Sequence, residues 1–206
     1  MNSSFAAWFG QWDIDLLTYM RSFVDPHTTL AQILSIYADL PVFAVAISLL
    51  IWWMFGVYHR SDVYRREALK AFFMIASVFA VYAILNQFLP ERPRPETIVP
   101  GIAPLIDHTP DNSFPSGHAA FAAAATVAVA VLFDRRWLTI LVWFIGFDMC
   151  VVRVMAGIHY PSDIIAGWII GTLVAYGIHT LTHCYAWVYD RVFVTPLLRL
   201  ARMLHL

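Results

Sequence analysis

Apolar residues fall in long unbroken runs along this chain, separated by short polar stretches. One helix across the hydrocarbon core of a bilayer takes about 20 mostly apolar residues. Leu40–Tyr58 (LPVFAVAISLLIWWMFGVY) and Ala71–Pro90 (AFFMIASVFAVYAILNQFLP) meet that length. Ala119–Phe133 is shorter but extends backwards through SFPSGH. Trp137–Val152 follows it after the charged turn DRR, so these two are expected as an antiparallel hairpin. Ile164–Tyr189 is long enough to span with tilt. Residues 30–40 (LAQILSIYADL) either lengthen the first run or form a sixth element. The pattern predicts an all-α, polytopic membrane bundle of five to six transmembrane helices. Residues 8–24 and 190–206 read as amphipathic interfacial helices; Arg199 and Arg202 stand among leucines, as suits the headgroup layer. With no internal repeat and no separate polar domain, residues 1–206 read as one domain, with its motif-bearing core at about 40–185.

Composition supports lipid as the solvent: 60% of residues are hydrophobic and 13% charged, against roughly a quarter charged in soluble domains. A net charge of −1 and the lack of a basic tract argue against a nucleic-acid partner. Cys150 and Cys184 lie in apolar runs and read as small hydrophobes. The N-terminus lacks a basic n-region, so no signal peptide is expected. Lys and Arg set the orientation. Arg60, Arg65, Arg66 and Lys70, then Arg135 and Arg136, then Arg191, Arg199 and Arg202 share one side if five spans alternate. That side is expected to be cytoplasmic. Arg21, Arg92, Arg94 and Arg153 fall on the other, external or periplasmic side. Asp148, inside the fourth run, is expected to be a protonated or hydrogen-bonded packing residue.

Three polar segments share the external side: ERPRPE (91–96), DNSFPSGH (111–118) and VRVMAGIHYPSD (152–163). Proline suits the first helical position. Placing Pro115 there puts Ser116, Gly117 and His118 in the first turn, where unsatisfied N–H groups and the helix dipole attract anions. Pro161 does the same for the next helix and places Asp163 in its first turn, four residues after His159. A carboxylate there can orient one imidazole nitrogen and leave the other as a nucleophile. Arg153 and Arg94 can neutralise a phosphoryl group through bidentate contacts. Taken singly, a helix-start histidine is usually a cap and an Arg-Pro is usually loop punctuation. Converging on one face of a chain so poor in charge, they point instead to a phosphate pocket at the membrane surface. His27, His59, His179, His183 and His205 lack such company, and no metal site is expected.

The three segments resemble the type-2 phosphatidic acid phosphatase superfamily, membrane lipid phosphatases related to vanadium haloperoxidases. The family pattern is Lys, six residues, Arg-Pro; then Pro-Ser-Gly-His; then Ser-Arg, five residues, His, three residues, Asp. Arg94-Pro95, residues 115–118 and the spacing Arg153, His159, Asp163 match it. Two positions depart: the family lysine falls on Gln87 and the serine before the third-motif arginine on Val152. Loss of that lysine removes a positive charge from the phosphate pocket, which nearby Arg92 can compensate. The polar amide with HTPDNSFPSGH resembles the branch acting on undecaprenyl diphosphate. The resemblance implies His159 as nucleophile, Asp163 as its orienting acid and His118 as leaving-group acid. It implies Arg94, Arg153, Ser116 and Gly117 around the phosphoryl oxygens, with Gln87 at the lysine's place. Arg92 and His108 are expected to meet the second phosphate of a diphosphate. It further implies a metal-independent hydrolase without cofactor, taking a lipid phosphate or diphosphate from the bilayer. The site would face outward from a bacterial inner membrane, and a homodimer is one assembly it allows. Phosphatidic acid, phosphatidylglycerophosphate and lipid A phosphates are the alternative substrates, and lipid binding or transport without hydrolysis is the rival from another class.

Overall fold

The computed structural model describes residues 3–89, 91–106 and 112–203 of the chain, and among them every regular element is helical. The order is α1 (Ser3–Arg21), α2 (Thr29–Tyr37), α3 (Leu40–Tyr58), α4 (Asp62–Leu85), the single turn α5 (Pro95–Ile98) and α6 (Gly117–Leu132). Then come α7 (Arg136–Met155), α8 (Pro161–Cys184), the short α9 (Ala186–Tyr189), a π-helical turn at Asp190–Val194 and α10 (Thr195–Met203). The protein is an all-α integral membrane bundle, as expected.

Among the described residues, four stretches are long and apolar enough to cross a bilayer: 29–58, Asp62–Leu85, Arg136–Met155 and Pro161–Cys184. α2 and α3 together make the first, stepping at Ala38 and Asp39. Residues 30–40 therefore lengthen the first span. α4 starts at Asp62 rather than Ala71, because the good helix formers in REALK carry the helix past the apolar run. It stops at Leu85, well short of Pro90. α8 ends at Cys184 rather than running on to Tyr189. Large apolar side chains such as Phe43, Ile47 and Leu50 on α3, and Ile140 and Phe144 on α7, point outward. A polar solvent would make such a belt unfavourable, whereas lipid tails accept it.

α6 is the axis of the bundle and packs against α3, α4, α7 and α8. Sixteen residues give it a length of roughly 24 Å, less than the hydrocarbon core, and its alanines from Ala119 to Ala125 are buried. Small residues permit close approach of helices where lipid offers no hydrophobic drive. The α6–α8 crossing uses that freedom fully. A Cβ on Gly171 would lie 2.1 Å from the Ala120 carbonyl oxygen, and one on Gly167 would lie 2.4 Å from that of Ser116. These contacts seat the start of α8 against the start of α6.

The basic turns gather at the end of the bundle away from the motif segments. Arg66 pairs with Asp190, and Arg202 Nη2 lies 3.5 Å from Asp62 Oδ2. The α3–α4 turn and the C-terminal segment are thereby held together. Asp148 on α7 lies near the Tyr37 hydroxyl of α2.

Gly171→Val should force α6 and α8 apart. Overpacking of this kind costs about 1–3 kcal/mol or more. Thermal unfolding in detergent should show a lowered Tm, whereas Gly177→Ala, with no atom near the added methyl, should leave it unchanged or slightly raised.

Candidate active site

Two helix starts and one loop build the site. α6 starts at Gly117 with Ser116 as its N-cap, the Ser116 Oγ accepting from Ala119 N at 3.5 Å. Pro115 is therefore not the first helical residue as expected. It precedes the cap, its peptide bond to Phe114 is cis, and Ser116 takes the position because its oxygen satisfies a helix-start N–H. His118 still lies in the first turn. α8 does start at Pro161, and Asp163 sits at the third helical position, where its Oδ2 accepts from Tyr160 N at 2.9 Å. The two starts are tied by Ser116 N donating to the Asp163 carbonyl at 3.1 Å.

Asp163 is fully buried, and its carboxylate gathers donors from three segments. Besides Tyr160 N it accepts from Ser113 Oγ at 2.6 Å and from Arg92 Nη1 at 2.6 Å. His159 Nδ1 lies 3.6 Å from Asp163 Oδ2 but 3.0 Å from the Ser113 carbonyl oxygen. A carbonyl only accepts, so this contact assigns the ring proton to Nδ1 and leaves Nε2 with its lone pair. Burial pushes the His159 pKa down, opposed by the hydrogen bond and charge of Asp163, while Arg94 and Arg153 lower it further. The lowered pKa favours the neutral imidazole.

Arg94 and Arg153 are both buried beside this pair. Arg94 precedes α5 and its Nη1 donates to the Ile158 carbonyl at 2.8 Å, which braces the turn carrying His159. Arg153, in the last turn of α7, contacts both Asp39 and His118 Nε2. Gly117 lies against the Tyr82 ring. The structure thus brings together His159, Asp163, His118, Arg94, Arg153, Ser116 and Gly117.

Two expected residues are placed differently from expectation, Gln87 away from that group and Arg92 bonded to its Asp163. Gln87, past the end of α4, is exposed, and its amide donates back to Ala83 O at 3.4 Å. Arg92 has different partners from a second phosphate: Asp163 and Ser162 on Nη1, Asp13 on Nη2. Its guanidinium also lies 3.9 Å over the Tyr160 ring. Burial would lower the Arg92 pKa, but Asp163 and Asp13 raise it, and the net shift is upward. His108 lies outside the described residues.

Sequence reasoning missed Asp13, Asp39 and Ser113. Ser113 stood inside the quoted segment, yet its carbonyl and hydroxyl serve His159 and Asp163 at once. Asp39 sits at the α2–α3 step, with 48% of its side chain exposed, and its Oδ1 lies 3.0 Å from His118 Nε2. A carboxylate between an arginine and a histidine holds a place that a phosphoryl oxygen would contest. Among the described residues, no three His, Cys, Asp or Glu side chains are grouped to hold a metal ion.

Guanidiniums around a histidine with a bare Nε2 suit a phosphoryl group, and so apolar a bundle presents that chemistry to lipids. The class so defined is a membrane phosphatase. Sequence comparison agrees: residues 67–191 match the family model of the PAP2 superfamily, and the chain belongs to that superfamily. It is 28% identical over 155 residues to the undecaprenyl-diphosphatase BcrC of Bacillus subtilis, covering 73% of this chain and 74% of that one. A lipid A 1-phosphatase of Rhizobium johnstonii is 44% identical over 69 residues, but only 34% of this chain and 28% of that protein are covered. The crystal structure of a transmembrane PAP2-type phosphatidylglycerolphosphate phosphatase from Bacillus subtilis superposes with a TM-score of 0.65. It covers 86% of this chain and 87% of its own at 19% identity, a likeness of fold.

Two outcomes follow from this geometry. With the His159 pKa lowered, activity should be retained as pH falls below about 6.5, the ordinary imidazole value, and fail only when the neutral form is lost. A pH profile of kcat/KM reads the position of that acid limb. Asp39→Asn should remove the anion competing for Arg153 and His118. Inhibition by inorganic phosphate or orthovanadate should tighten about tenfold, the effect of losing one charge-assisted contact.

Proposed function

We propose that this membrane phosphatase removes the terminal phosphate of a polyprenyl diphosphate, converting undecaprenyl diphosphate to undecaprenyl phosphate and inorganic phosphate. The observation that carries the chemistry is the pinned His159 ring: its Nδ1 faces the Ser113 carbonyl and Asp163, which frees Nε2 for attack. Likeness to an undecaprenyl-diphosphatase over three-quarters of both chains supports the substrate.

His159 Nε2 attacks the terminal phosphorus, and the bond from that phosphorus to the bridging oxygen breaks. Asp163 favours the positive charge that develops on the ring. His118 gives a proton to the departing oxygen, and Arg94, Arg153, Ser116 and the Gly117 N–H hold the phosphoryl oxygens. Water, deprotonated by His118, then takes the phosphoryl group from His159 and releases phosphate. Because Asp39 lies against His118 and Arg153, the incoming headgroup displaces its carboxylate. None of these side chains calls for a metal or other cofactor.

The lipid tail remains among the spans, with the site on the external face of a bacterial inner membrane, which the one-sided cluster of Arg60, Arg66, Arg135, Arg191 and Arg199 supports. A second reading, hydrolysis of a lipid A phosphate, is favoured by the shorter but closer Rhizobium match.

Detergent-purified protein in EDTA should release phosphate from undecaprenyl diphosphate faster than from phosphatidic acid or lipid A, and His159→Ala should abolish release. Faster release from lipid A would favour the second reading. No release from any lipid by folded protein would point to binding or transport instead.

A further inference from the structure

Asp13 lies within α1, a helix that the sequence reading assigned to the headgroup layer. Its side chain is completely buried, whereas Asp15, two residues on, is exposed. Both Asp13 oxygens are used. Oδ1 accepts from the Ser162 backbone N–H at 2.9 Å, at the start of α8. Oδ2 accepts from the Ser162 hydroxyl and from Arg92 Nη2, the latter at 2.6 Å. Arg92 Nη1 in turn donates to Asp163 Oδ1 at 2.6 Å. One guanidinium therefore forks between two buried carboxylates, and one of the two orients the nucleophile.

The charges are what make this arrangement informative. Asp163 next to His159 favours positive charge on the imidazole as Nε2 attacks. An arginine bonded to Asp163 cancels that benefit if nothing balances it, because a buried ion pair presents little net field. Asp13 supplies the balance. Two carboxylates and one guanidinium leave a net charge of about −1 facing the histidine, while Arg92 keeps the two carboxylates from repelling each other. We propose that Asp13 is a positioning residue of the phosphatase site, sharing Arg92 so that Asp163 retains its negative charge toward His159 and the start of α8 keeps its place.

This inference rests on the phosphatase reading for its kinetic arm and on the geometry alone for its titration arm. The other charged groups facing His159 are Asp163 from α8, Arg94 from the loop before α5, Arg153 from α7 and His118 from α6. None of them is altered in the experiment.

The test uses three full-length variants, D13N, R92Q and D13N/R92Q, with His159 titrated by NMR in isotopically labelled histidine. The same samples are assayed for phosphate release from undecaprenyl diphosphate. Losing the Asp13 charge should move the His159 titration, and the acid limb of kcat/KM, to lower pH. Losing the Arg92 charge should move both to higher pH. The double variant restores the net charge and should return them toward wild type. D13N should lower kcat about tenfold or more with KM nearly unchanged, as expected when a charge acts chiefly in the transition state, and the double variant should recover part of that loss. Shifts of one sign in both single variants, or additive losses without recovery, would overturn the assignment and leave Asp13 a packing residue. Should D13N not fold, R92Q alone decides, since a shift to lower pH contradicts the proposal. Wild-type protein inactive on every lipid would overturn the phosphatase reading, while the NMR titrations would still judge Asp13.

Discussion

Asp163 lies at the centre of the site, closed off from the surface. Its carboxylate is completely buried, and its two oxygens are met by Arg92, Ser113 Oγ and Tyr160 N. A buried carboxylate without such partners is strongly destabilising, so the loop, the start of α6 and the start of α8 must all be in place before it is tolerated. That requirement makes the site and the fold a single problem. Ser113 illustrates it: its hydroxyl serves Asp163, its carbonyl serves His159, and its backbone N–H donates to the Arg92 carbonyl at 2.9 Å.

The same requirement explains why the bundle is built on small residues. Ser116 N reaches the Asp163 carbonyl only if α6 and α8 lie almost in backbone contact at their starts. Gly167 and Gly171, facing the Ser116 and Ala120 carbonyl oxygens, allow that approach. Alanines along α6 continue it through the interior, and the bulky side chains are left to the lipid-facing surfaces of α3 and α7. In most soluble domains the large residues fill the centre; here lipid accepts them outside, and the centre is free to be narrow.

Much of this was legible in the sequence, for identifiable reasons. Apolar runs mark the spans because the bilayer sets a minimum length, and Pro161 marks the start of α8 because a helix start tolerates its missing N–H. The spacing of Arg153, His159 and Asp163 survives intact because all three lie within one tight helix–turn–helix connection. The errors came where the signal was not periodic. Pro115 and Ser116 both suit a helix start, and the choice fell to the cap hydrogen bond. α4 ran beyond its apolar stretch because charged residues propagate helices well. Asp13 and Asp39 were hidden for another reason: nothing local separates them from Asp15 or Asp25, and only the packing of α1 and the α2–α3 step carries them to the site. Arg92 was recognised as important, but its partners are carboxylates, one of them some eighty residues away in the chain.

The central step of the proposed reaction is attack of His159 Nε2 on phosphorus. Rapid acid- and alkali-quench of the protein turning over undecaprenyl diphosphate labelled in its terminal phosphate tests that most directly. A phosphoryl adduct stable to alkali, labile to acid and mapped to the peptide containing His159 is the predicted result. An adduct on His118, or turnover in which no protein-bound phosphate forms even when the rate of release is limited by the second step, would contradict it.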